Sequence, residues 1–160
     1  MTTNEAEEIC CPRFDPALWD GKTLEWDQKK FVKAKVFTFL YMPITMDKVM
    51  TQLDQQLSAA GVAFVDAMAL SEHTSLWNMD QYLAVEREVA GLNNVTLSGK
   101  LLCKVYEGAY EDTGKWMKDF EAYNKANNLK VTRWFMWYTT CPKCAKKYGK
   151  NYVAVLGMLG

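Results

Sequence analysis

The sequence repeats itself, and that repeat limits the possible folds more than any single motif does. Lys35 to Gly61 (KVFTFLYMPITMDKVMTQLDQQLSAAG) and Leu101 to Asn127 (LLCKVYEGAYEDTGKWMKDFEAYNKAN) both pass from an apolar run through a turn into a helix-like period. Further on, Gln81-Tyr82-Leu83-Ala84-Val85-Glu86 is echoed by Asn151-Tyr152-Val153-Ala154-Val155-Leu156. A strand–helix–strand–strand module used twice accounts for both echoes. Two such modules side by side make a seam, and seams between half-domains are common places for a ligand.

Local patterns fill in the modules. Lys33 to Tyr41 is rich in β-branched and aromatic residues and reads as a strand, which Pro43 breaks. Thr45 or Asp47 is placed to cap the helix that follows. Met46, Val49, Met50, Leu53 and Leu57 form one apolar stripe along it, and Gly61 ends it. Val62 to Leu70 is a second strand; a loop with His73, Ser75 and Trp77 leads to a third, Gln81 to Val89. Gly91 to Asn94 is the hinge between halves. Leu97 to Tyr106 is the fourth strand, and Gly108 breaks it. The second helix buries Trp116, Met117, Phe120 and Tyr123 and stops at Asn127-Asn128. Val131 to Thr139 and Tyr152 to Leu159 are the last strands. The class is α+β: two pseudo-symmetric modules, an antiparallel sheet with helices on one face. Residues 1–32 read as an irregular arm anchored by Trp19 and Trp26, and residues 33–160 as one ligand-binding domain with halves near 33–92 and 97–160.

Charge excludes more than it suggests. Nineteen basic and nineteen acidic side chains cancel, so neither nucleic acid nor an anionic membrane is an expected partner. No apolar run approaches the roughly 20 residues that a membrane helix needs. The opening residues MTTNEAEE are acidic and polar, unlike a secretory leader, so a cytoplasmic protein is expected. Six Trp, eight Tyr, seven Phe and nine Met can fill a core, or line a pocket for flat ligands.

Strand alternation selects candidates for such a pocket. Leu83 and Val85 should face the helices, leaving Tyr82, Ala84 and Glu86 on the other side; Val153 and Val155 point inward, with Tyr152, Ala154 and Leu156 opposite. Glu86 is then either a carboxylate in apolar surroundings, suited to a cationic ligand or to acid–base work, or a solvated group paired with Arg87 or a lysine. Glu107 is the second candidate, and its place just before a helix also has a plain electrostatic explanation. Phe39, Tyr41, Trp77, Tyr106, Tyr110 and Trp137 complete the expected wall with Tyr82 and Tyr152. His73 is the sole histidine and has no triad spacing around it. Lys143, Lys146, Lys147 and Lys150 read as a solvated hairpin tip.

Cys141-Pro-Lys-Cys144 is the sharpest local motif, and in a reducing compartment it is a dithiol or half of a zinc site. Zinc would need Cys11, with Cys10 or another group as fourth ligand, and would staple the arm to the last hairpin. Cys103, in mid-strand, reads as a small buried hydrophobe.

The doubled module, with Val105-Tyr106-Glu107-Gly108-Ala109-Tyr110 leading into the second helix, resembles the GyrI-like small-molecule-binding family. That family also supplies effector-binding domains of multidrug-responsive transcription activators. Its usual Gly-Pro-Tyr turn is here Gly108-Ala109-Tyr110, without the proline. The resemblance implies an aromatic-lined cleft between the halves, often with a buried carboxylate facing cationic or electrophilic ligands. A smaller branch resembles hydrolases that open reactive cyclopropane rings in DNA-alkylating toxins. No pair of helices precedes residue 33 to enter a DNA groove. The leading expectation is therefore a stand-alone binder of an apolar or aromatic small molecule, cationic ones included. The alternatives are a hydrolase using Glu86 or Glu107, and a zinc-stapled interaction module.

Overall fold

Strand β1 (Lys22–Phe39) starts at Lys22 rather than at Lys33, where the apolar run begins. In the computed structural model, residues 14–40, 42–109, 112–139, 149 and 151–160 are described. Thr23, Trp26 and Phe31 carry side chains suited to extended backbone. Gln28 adopts a positive φ of 51°, and its amide donates to Ser98 Oγ at 2.7 Å. That kink interrupts the period-2 pattern, which is why the first half of the strand looked irregular.

The remaining elements are β2 (Met42–Pro43), α1 (Met46–Ala60), β3 (Phe64–Ser75), β4 (Asn78–Val85), β5 (Asn94–Glu107), α2 (Thr113–Ala126), β6 (Val131–Tyr138) and β7 (Tyr152–Leu159). The expected strand–helix–strand–strand order thus occurs twice. The chain forms two compact units, Glu25–Gly99 and Met1–Leu24 with Lys100–Gly160. In the first, β4 pairs antiparallel with both β1 and β3. In the second, β7 pairs antiparallel with both β5 and β6. The last strand of each module is therefore its centre, and its alternation decides which side chains meet the helix.

In the Glu25–Gly99 unit, α1 lays Leu53 and Leu57 on Val32, Leu83, Val85 and Val89, with Val49 and Met50 at the margin. Gly61 caps it in the left-handed conformation (φ 65°), its amide donating to the Leu57 and Ser58 carbonyls. Thr45 occupies the N-cap position without capping: its Oγ1 accepts from the Phe37 amide at 2.9 Å and ties the turn back to β1. β3 runs on through His73 to Ser75, where a strand-free loop was expected, because His73 pairs across from Met79.

In the other unit, α2 packs Trp116 and Phe120 on Leu102, Met136, Val153 and Val155, with Met117 and Tyr123 partly buried beside them. Gly157 of β7 gives the Phe120 ring its place; a Cβ there would lie 2.6 Å from Phe120 Cζ. Asn128 ends the helix turn with φ 54°. Among the described residues, no helix is long and apolar enough to cross a membrane.

Candidate functional site

Each three-stranded face turned away from its helix carries rings. In the Glu25–Gly99 unit the β1–β4 register sets Phe31 opposite Ala84, Lys33 opposite Tyr82 and Lys35 opposite Asp80. The β3–β4 register adds Leu70 opposite Tyr82 and Glu72 opposite Asp80. Because Leu83 and Val85 meet α1, all of these share the other face. Tyr82, 2% exposed, stands edge-on to Phe31 with centroids 6.1 Å apart, and Trp26 tilts against Phe31 at 5.6 Å.

The polar groups of this face are tied to the rings. Tyr82 Oη donates to Glu72 Oε1 at 3.1 Å, which fixes both the phenol and the carboxylate. Asp80 accepts from Asn78 Nδ2 at 3.1 Å and pairs with Lys33 Nζ at 3.4 Å. The same ammonium lies 5.8 Å from the Tyr82 ring centre. A buried ring cluster bordered by fixed carboxylates can pack on a flat molecule that reaches it and orient a polar or charged group there.

The second ring cluster lies in the other unit. Trp137 meets Trp19 edge-on at 4.9 Å and Phe14 at 5.3 Å, and Phe14 also touches Tyr152 at 5.9 Å. The segment bearing Phe14 and Trp19 is held at a 3-10 turn, Pro16–Leu18, capped by the Asp15 side chain. Beyond it, Asp20 Oδ1 accepts from the Val105 amide at 3.0 Å, and the Gly21 amide donates to the Cys103 carbonyl at 2.8 Å. Burial, and then the nearby Asp20 charge, push the Cys103 thiol up to about 12.

The expected site residues fall into separate places. Trp137 and Tyr152 each touch Phe14, on the face away from α2. Tyr82 also lies on its helix-free face, buried. Phe39 and Trp77 touch at 5.5 Å but at an exposed tip, 52% and 50% accessible, next to Phe37, Leu40, Ile44 and Leu76. Tyr106 is on the helix side: it stacks on Trp116 at 5.9 Å and donates to Asp119 Oδ2 at 2.6 Å. Burial first, then that hydrogen bond and the acid charges, hold its phenol far above the ordinary range.

Glu86 is not a buried acid. It follows the last residue of β4, is 47% exposed, accepts from the Ala63 amide at 3.2 Å and lies 3.7 Å from Arg87. The strand ends one residue too early to carry it into the face. Glu107 closes β5 opposite Tyr152 and is also exposed. Tyr41, Tyr110, Cys10, Cys11, Cys141 and Cys144 lie outside the described residues. Among the described residues, no group of three or more His, Cys, Asp or Glu could hold a metal ion. Of the groups that meet the rings, Lys33 alternates with Lys35 along the expected first strand, whereas Glu72 and Asp80 fell in the loop expected between the second and third strands and carried no signal.

Comparison with known proteins agrees with this architecture. The C-terminal domain of EcmrR, known from its crystal structure, has the same fold, with a TM-score of 0.70, 9% identity, and 89% of this chain covering 98% of that one. SAV2435, solved bound to tetraphenylphosphonium, follows with a TM-score of 0.55 and 12% identity, over 87% of this chain and 93% of that one. No curated protein sequence matches. The GyrI-like element order read from the sequence is therefore the fold. A family model described as Bacterial hydrolase matches residues 1–159, and the chain belongs to that family, a GyrI-like branch.

Proposed function

We propose that this protein binds an apolar, ring-bearing small molecule on the helix-free face around Tyr82. The reading is carried by the Tyr82 environment, a ring packed on Phe31 with its hydroxyl fixed to Glu72 and with Asp80 on the neighbouring strand position. Such a surface takes up flat apolar groups and orients them through its few polar atoms. Trp137 and Tyr152 with Phe14 and Trp19 offer a second surface of the same kind, and Phe39 with Trp77 a more accessible one. The fold likeness to SAV2435, a protein solved with the ring-bearing cation tetraphenylphosphonium, supports a ring-bearing ligand.

Tryptophan fluorescence and melting temperature across a panel of ring-bearing molecules test the proposal. At least one should give a saturable change that Tyr82→Ala abolishes. Silence across the panel overturns the reading.

The family description favours a hydrolytic extension of the same site. In that reading a strained electrophile, such as a conjugated cyclopropane, lies against Tyr82, and Glu72, oriented by the Tyr82 hydroxyl, takes a proton from water as its oxygen attacks the ring. An oxygen–carbon bond forms and a ring carbon–carbon bond breaks. Its electron pair passes to the conjugated carbonyl, which takes up a proton from solvent. Glu72 replaces the solvated Glu86 and Glu107 in this role. Single-turnover rates with a cyclopropane-containing alkylator should fall roughly 10²- to 10⁴-fold in Glu72→Gln. Equal rates in both proteins, or none in either, remove the hydrolytic reading and leave binding to the fluorescence test.

A further inference from the structure

We infer that Lys33 sets the charge selectivity of the Tyr82 face: its tethered ammonium fills the place a cationic ligand would take and turns the site toward neutral molecules. The inference rests on the proposal that this face is the ligand site. A protein holds a ligand cation chiefly with a carboxylate and the face of an aromatic ring. Here both contacts are made by the chain itself. Lys33 Nζ lies 3.4 Å from Asp80 Oδ2 and 5.8 Å from the centre of the Tyr82 ring.

The strand register imposes this arrangement. Lys33 stands directly opposite Tyr82, and Asp80 is the next residue on the same face of β4. The Asp80 side chain is 9% exposed, and a carboxylate so far from water requires a partner. The Lys33 side chain is 29% exposed and so keeps some water. Asn78 Nδ2 supplies a second contact to Asp80 at 3.1 Å, so the carboxylate keeps a hydrogen bond if the ammonium is removed. An incoming cation would find Asp80 already neutralised and would meet a like charge on Lys33. A neutral ring meets no such repulsion.

The test is a titration of two matched probes, the cation tetraphenylphosphonium and the neutral triphenylphosphine oxide. They are titrated into wild type, Lys33→Met, Asp80→Asn and the Lys33→Met/Asp80→Asn double variant. Lys33→Met should raise affinity for the cation about tenfold or more while the neutral probe changes less than about threefold. Asp80→Asn should move the cation-to-neutral affinity ratio the other way, and the double variant should return it to near the wild-type value. If circular dichroism shows Lys33→Met unfolded, Asp80→Asn decides alone, and an unmoved ratio overturns the inference. Neutral probe bound throughout with the cation ratio unchanged also overturns the role of Lys33 and leaves the binding reading standing. No binding of either probe by any of the four proteins overturns that reading, and the inference with it.

Discussion

The indole of Trp19 stands edge-on to that of Trp137, with centroids 4.9 Å apart and planes at 89°. The contact joins a short N-terminal segment to the β6 strand of its own unit. It follows from local chemistry: Asp15 caps the 3-10 turn, and Asp20 and Gly21 bond to β5 just beyond it. Trp19→Ala should therefore lower unfolding free energy by about 1–3 kcal/mol, the usual cost of losing an aromatic pair and its buried area. Urea denaturation measures it. A midpoint equal to wild type would show that the segment carries no stability.

Gly157 of β7 lets the Phe120 ring of α2 approach closely in the same unit. A methyl at Gly157 would lie 2.6 Å from Phe120 Cζ and 3.0 Å from Val131 Cγ2. Gly157→Ala should destabilise by about 1–3 kcal/mol through overpacking. Pairing it with Phe120→Leu should recover part of the loss, because the clash is with the far end of that ring. Additive losses in the double variant would contradict this.

Stability should also fall in alkali. Burial and Asp20 raise the Cys103 thiol from 9.0 to about 12 in the folded protein. Below 9.0 both states keep the proton and the group contributes no pH dependence. Between 9.0 and about 12 the unfolded chain releases the proton that the folded chain retains, so stability declines across that window. The raised Tyr106 and Tyr138 phenols add losses of the same sign from about pH 10 upward, and they do so equally with and without Cys103. Urea midpoints from pH 8 to 11 should decrease more steeply in wild type than in Cys103→Ala. Parallel slopes would contradict the assignment to Cys103.

Much of this fold was legible because the repeat and the helix stripes report burial directly. Leu83, Val85, Val153 and Val155 face the helices as alternation requires. Trp116 and Phe120 fill the expected stripe of α2. What misled the reading was tertiary detail with no local signature. Gln28 bends β1 with a positive φ, so its first half shows no period. Thr45 has the identity of a helix cap, yet its hydroxyl is taken by Phe37.

The candidate site was harder to see than the fold. Alternation put Tyr82 and Tyr152 on the helix-free side, but the groups that give the Tyr82 face its charge were not legible. Glu72 and Asp80 become neighbours only through the β3–β4 register, and Lys33 and Asp80 only through β1–β4. A one-residue slip in either ladder would send these side chains to the opposite face, and sequence alone does not specify the register. Glu86 was selected by alternation along a strand expected to run to Val89, whereas the end of β4 at Val85 leaves it in water beside Arg87.

The central claim is that a ring-bearing molecule lodges against Tyr82. The most direct measurement is calorimetric titration of triphenylphosphine oxide into wild type and into Tyr82→Leu, which keeps an apolar side chain but removes the ring and its bond to Glu72. Saturable binding to wild type, weakened about tenfold or more in a Tyr82→Leu protein that still melts cooperatively, is the predicted result. Equal affinity in the two proteins, or no saturable heat in wild type, would contradict it.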